Sequence, residues 1–165
     1  RNTKLDDVAQ VLGIKRHASA NFPDNAMDSV PLIDLCKFIE QHVDYTPDII
    51  FTHYYNDLNV DHQLVAKATF TVFRPQHGTN HKIYSYFVPS STDYNPLVNY
   101  EGRTYFKLSE DNVIAKHKAL KVYDMEMRAY PHTRSYDNVQ NLMKVWGSEV
   151  GTAFAEKFVL TRELV

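Results

Sequence analysis

The apolar positions along this chain change their period several times. Residues 2–12 set Leu5, Val8, Ala9 and Leu12 at helical spacing, and Gly13 follows as the kind of residue that ends many helices. A short extended piece over residues 17–22 then meets the turn signal Pro23-Asp24-Asn25, which would put Asp24 near a strand's carboxyl end and the mouth of a site. Ser29 as cap, Pro31 in the first turn, and Leu32, Leu35, Cys36, Phe38, Ile39 and Val43 on one face predict the next helix. Ile49-Ile50-Phe51, bounded by Pro47 and by polar residues, has the form of a buried parallel strand. Leu64, Val65, Ala68, Val72 and Phe73 return to helical spacing and stop before Pro75, and residues 76–81, with Gly78, form a loop in which His77 and His81 are solvated.

The same alternation continues to the end of the chain. Ile83, Tyr84, Tyr86, Phe87 and Val88 predict a second strong strand, and residues 105–108 a short one. Ser109 caps a helix whose inner face carries Val113, Ile114, Ala119, Leu120 and Tyr123. Ser135 caps another with Val139, Leu142, Met143 and Trp146, its end loosened by Gly147 and Gly151, and residues 154–160 read as a closing strand. Strands alternating with helices predict a three-layer α/β domain with a mostly parallel sheet, a single domain over residues 1–165.

Composition narrows the chemistry. A hydrophobic content of 44% over 165 residues is enough for one real core. The net charge of -2, with basic and acidic residues mixed along the chain, lacks the footprint of nucleic-acid binding, so a neutral ligand or small anion fits better. Cys36 is the only cysteine, which excludes an internal disulfide and a cysteine zinc site. No apolar run reaches membrane-spanning length, so a cytoplasmic protein is expected.

In open α/β sheets, ligands bind just past the carboxyl ends of the strands. Beyond Phe51 that place holds Thr52, His53, Asp57, Asn59, Asp61 and His62, and beyond Val88 it holds Ser90, Ser91, Thr92 and Asp93. His62, in a helix's first turn and facing back to the loop, suits a metal ligand, with a nearby carboxylate orienting its ring. The plain alternative makes Asp61 a helix cap and His62 a half-buried polar residue.

Two longer patterns shift that balance. Thr52-His53 followed by Asn56-Asp57-Leu58-Asn59-Val60-Asp61-His62 resembles the second motif of the LmbE-like, or PIG-L, de-N-acetylases. Residues 88–94 (Val-Pro-Ser-Ser-Thr-Asp-Tyr), residues 130–135 (Tyr-Pro-His-Thr-Arg-Ser) and residues 154–160 resemble later segments of the bacterial sugar-deacetylase branch, in order. The resemblance implies a Rossmann-like domain and a zinc-dependent hydrolase that removes the acetyl group from an N-acetylated amino sugar or glycoconjugate. His62 matches the family's third zinc ligand. The family's first motif, His-Pro-Asp-Asp-Glu, supplies two further ligands and the general base, and that string does not occur here. An N-terminal βαβ portion is therefore expected to be missing, and the 165 residues alone to be inactive.

Asn59 stands where many relatives have a histidine acid, and asparagine cannot serve as a proton donor of that kind. The resemblance then implies His132 as acid or oxyanion donor, with Asp57 or Asp61 tuning the charge nearby, and Arg1, Asn59, Ser91 and Arg134 as substrate-binding residues. His53 is either a partner of the metal-binding ring or a polar strand end. Phe87 replaces a glutamate that the family often carries. A competing reading is a non-catalytic α/β module that binds a sugar or other ligand and lacks the metal site. A homo-oligomer is compatible with either.

Overall fold

A computed structural model describes residues 2–76 and 79–164. Arg1, His77 and Gly78 lie outside the described residues. The element order is α1 (Asn2–Leu12), α2 (Leu32–His42), β1 (Ile49–His53), α3 (Val60–Val72), β2 (Lys82–Tyr86), β3 (Thr104–Lys107), α4 (Glu110–Val122), α5 (Tyr136–Glu149) and β4 (Ala155–Arg162), with short 3-10 turns at Met27–Ser29 and Asp124–Glu126. The fold is mixed α/β, with the four strands in the order β1-β2-β4-β3. None of the described helices is long and apolar enough to cross a membrane.

The sheet differs from the mostly parallel one expected. Only β1 and β2 run parallel, joined by the α3 crossover, with Ile49 opposite Lys82 and His53 opposite Tyr86. β4 pairs antiparallel with β2, Tyr86 lying opposite Phe158. Beside β4, Arg103 N–H donates to Phe158 O and Leu108 N–H to Phe154 O, again in opposite directions. A single helix between two strands brings the chain back parallel. Two helices, α4 and α5, separate β3 from β4, and the second traverse reverses the strand that follows.

The chain divides into two compact units. One comprises Ala20–Thr104 and Lys157–Val165. Its core is Leu35, Cys36 and Ala68, with Phe22, Met27, Val30, Leu32, Ile39, Leu64 and Val72 packed around them. Cys36 is thus the small buried hydrophobe its surroundings suggested. Residues 17–22 carry no strand, and α2 begins behind Pro31, while Ser29 closes the 3-10 turn with its hydroxyl on Ala26 O at 2.7 Å. His81, expected in solvent, is 8% exposed, because its Nδ1 bonds the carbonyl of Pro47 at 2.6 Å.

The other unit comprises Arg1–Ser19 and Tyr105–Glu156. Here Val113, Val139 and Met143 are buried against Leu108, Leu120, Met127 and Phe154. Ile114, assigned to the inner face, is 51% exposed. Ser109 starts α4 through a capping box with Asn112, and Ser135 caps α5 by accepting from Asn138 N–H. Gly147 does not loosen α5: the helix runs through it, and a Cβ there would sit 2.6 Å from Thr152 O and 2.8 Å from Phe154 N. It is the close-approach point that lets the chain fold back toward β4. Gly151, at φ +72°, takes the left-handed position after the helix.

Candidate active site

The carboxyl ends of β1 and β2 bring together His53, Asp57, His62, Tyr86, Ser91 and Thr92, all within the first-described unit. Two pieces of local structure place them. After β1, residues 54–59 form a tight loop in which Asp57 N–H donates to Tyr54 O and Asp57 Oδ1 receives Asn59 N–H at 2.9 Å. Asn59 then caps α3, its side-chain oxygen accepting from the amides of Asp61 at 2.8 Å and His62 at 3.4 Å. That cap fixes His62 in the first turn, close to the loop. After β2, Ser90 turns the chain with φ +65°, a left-handed value that costs a non-glycine residue about 1 kcal/mol. The turn is held by Ser91 and Thr92 amides on Val88 O and by Val88 N–H on Thr92 Oγ1 at 2.8 Å.

Asp57 is the centre of the cluster and is fully buried. One carboxylate oxygen accepts from Ser91 Oγ and lies 3.1 Å from His62 Nδ1, and the other accepts from Thr92 Oγ1 at 2.6 Å. Burial pushes the Asp57 carboxyl up, but the bonds from His62, Ser91, Thr92 and the Asn59 amide outweigh it and hold the carboxyl down at about 2. An ionised carboxylate has no proton to give, so the His62 nitrogen facing it carries the ring proton and Nε2 carries the lone pair.

His53 lies against that ring, with centroids 4.2 Å apart and planes within 17° of parallel. Tyr86, its register partner, has its ring centroid 4.8 Å from that of His53, tilted by 53°. Burial, reinforced by His62 and opposed by Asp57, lowers His53 from 6.5 to about 4, so its ring is neutral at pH 7. Burial first and the Asp57 charge second push the Tyr86 hydroxyl up to about 12.

The arrangement rules out a serine nucleophile. In such a triad the base uses one ring nitrogen for serine and the other for the carboxylate. Here Ser91 Oγ (3.3 Å) and Asp57 both meet the same atom, His62 Nδ1, and Ser91 gives its proton to Asp57. His53 is equally unsuited to share a metal ion with His62. In-plane lone pairs of two nearly parallel stacked rings cannot converge on one ion about 2.0–2.1 Å from each nitrogen. Among the described residues no group of three His, Cys, Asp or Glu side chains could hold a metal. Asp57 is the carboxylate that orients the His62 ring.

The other predicted residues divide between roles. Ser91 joins the cluster as a donor to Asp57, and Asn59 serves as the cap, its side-chain amide 3.2 Å from Asn25 Oδ1. Asp61 is not the cap: its two oxygens accept Asn25 N–H at 2.7 Å and Met27 N–H at 2.9 Å, pinning the 3-10 turn to α3. His132 and Arg134 belong to the other unit. His132 Nδ1 accepts Arg134 N–H at 3.0 Å, and the Arg134 guanidinium lies 3.5 Å from Glu126. Arg1 lies outside the described residues. Thr92 was named only within the polar run after β2, and Tyr86 only as a strand residue, neither with a role of its own. Their signals were the polar run after β2 and the strand alternation that puts Tyr86 beside His53.

Two comparisons bear on this geometry. The family model PIG-L: GlcNAc-PI de-N-acetylase matches residues 1–73, less than half of the chain. The match spans Asp57, Asn59 and His62 and stops short of Ser91, Thr92 and His132. Among solved structures, the crystal structure of the conserved protein TT1542 from Thermus thermophilus is similar to this chain with a TM-score of 0.73 at 16% identity, covering 99% of this chain and 74% of that one. At that identity the likeness is one of fold.

Proposed function

We propose that this chain belongs to a zinc-dependent amide hydrolase that removes the acetyl group from an N-acetylated amino sugar or its conjugate. The match over residues 1–73 supports a deacetylase-type hydrolase. The observation that carries the zinc reading is the His62 ring, whose Nδ1 is tied to the buried, ionised Asp57 and whose other nitrogen is left as a donor. A carboxylate behind a ligating imidazole fixes its tautomer and raises its basicity.

Within this reading His62 supplies one ligand; the His-Pro-Asp-Asp-Glu string that gives the family's other ligands and general base does not occur in the 165 residues. Zinc, when bound, polarises the acyl oxygen and makes water acidic enough to attack near neutral pH. This chain's own residues orient and donate. Asp57, charged through its bonds to Ser91 and Thr92, holds His62. The family resemblance of residues 130–135 assigns His132 as donor to the leaving amine or the developing oxyanion. Its Nδ1 accepts the Arg134 amide N–H.

The test is acetate release by the full-length protein, loaded with zinc, from a panel of free, nucleotide-linked and lipid-linked N-acetylated amino sugars. The reading expects release from at least one class and its loss, together with bound zinc, in His62→Ala. Binding of a panel member without any acetate release would overturn it in favour of a non-catalytic sugar-binding module.

A further inference from the structure

We propose that His53 is a positioning residue for His62, acting through the face of its ring and not through a hydrogen bond at Nδ1. The inference rests on the functional reading of His62 above, but its first measurement does not need zinc. Three observations meet here. The His53 ring covers the His62 ring at 4.2 Å and 17°. Tyr86, set beside it by the parallel β1–β2 register, contacts it with centroids 4.8 Å apart. And His53 Nδ1 is buried with no hydrogen-bond partner among the described residues.

A buried, unbonded nitrogen destabilises the fold, so hydrogen bonding by this atom does not explain the residue. What the ring does contribute is a flat wall. His62 is anchored through one edge, at Nδ1, by Asp57 and Ser91. Edge bonds alone let the ring rock about the axis through that nitrogen, which would swing Nε2 out of line. A planar neighbour at stacking distance, itself in contact with Tyr86, removes that motion. The near-parallel planes also exclude His53 as a second ligand of the same ion, which leaves support as its part in the site.

The experiment uses the full-length protein as wild type, His53→Phe and His53→Ala, with folding checked by circular dichroism. In metal-free protein, long-range proton–nitrogen spectra of the His62 ring report which nitrogen carries the proton and whether the ring is held in one state. Phenylalanine keeps the wall, so His53→Phe is expected to retain the wild-type Nδ1–H tautomer. His53→Ala is expected to show averaged ring signals, with zinc affinity by chelator competition about 10–100-fold weaker than in wild type or His53→Phe. A folded His53→Ala with wild-type ring signals overturns the proposal, as does a His53→Phe that behaves like His53→Ala, since the nitrogens would then be what matters. A wild-type protein that binds no zinc sinks the deacetylase reading separately, and the ring spectra still decide the role of His53.

Discussion

His53 makes a quantitative prediction about acid stability. Its folded-state value of about 4 lies below the ordinary 6.5, so between those limits the unfolded chain binds a proton that the folded protein refuses. Stability therefore rises with pH through this window: it is undiminished above about pH 6.5 and falls as pH drops toward 4. With 1.36 kcal/mol per pH unit, the loss at pH 4 is about 3 kcal/mol, a large share of a typical 5–15 kcal/mol domain stability. The perturbation is His53→Phe, which cannot titrate and fills the same stack. Urea unfolding of chelator-treated wild type and variant, followed by far-UV circular dichroism from about pH 7.5 to 4, gives the difference between them, in which titrations not coupled to His53 cancel. At about pH 7.5 the variant is expected to be more stable by about 1–3 kcal/mol, from removing the unpaired Nδ1. The gap is expected to widen by about 3 kcal/mol at pH 4. A gap that stays constant across the range would refute the argument that burial against His62 excludes the proton.

Four further variants separate the roles assigned above. Asp57→Asn removes a carboxylate held at about 2, against an ordinary 3.8, whose stabilisation is present above pH 3.8 and lost as pH falls through 2; it is expected to cost about 2 kcal/mol at pH 7 by urea unfolding and to weaken zinc binding about 10–100-fold by chelator competition. Asp61→Ala strips the bonds to the Asn25 and Met27 amides and is expected to lower stability by about 1–3 kcal/mol with turnover unchanged; a loss of turnover of about 100-fold in folded protein would return Asp61 to the chemistry. His132→Ala in the full-length enzyme is expected to cut turnover by about 100–10,000-fold while zinc content, read by metal analysis, stays at the wild-type level. Gly147→Ala would press a methyl into the Thr152 and Phe154 backbone and is expected to lower thermal stability by about 1–3 kcal/mol; wild-type melting would mean that the residues 152–154 turn yields freely.

The parts of the site that were legible in the sequence are those whose partners lie close along the chain. Asp57, Asn59 and His62 all fall in the short stretch between a strand and a helix's first turn, so their proximity follows from local structure alone. Even there the sequence could not choose the cap, because Asn59 and Asp61 are both side chains that cap helices well. The choice depends on residues far away: the Asn25 and Met27 amides claim Asp61, and Asn59, with φ -76° and ψ 124°, is left as the cap. His81 was misplaced for the same reason, since the carbonyl that buries it belongs to Pro47, 34 positions earlier. Strand direction is equally invisible in a strand's own residues, so β4 could be located in the sequence but not oriented. The charge of Asp57 is the strongest case. Burial alone would favour the neutral acid, and what reverses this includes two hydroxyls, Ser91 and Thr92, 34 and 35 residues downstream in a turn of ordinary polar residues. The tautomer of His62, on which its use as a ligand depends, is thus set partly by a segment that carries no ligand itself. A substitution at Thr92 would reach the site through the Asp57 charge without touching the imidazole.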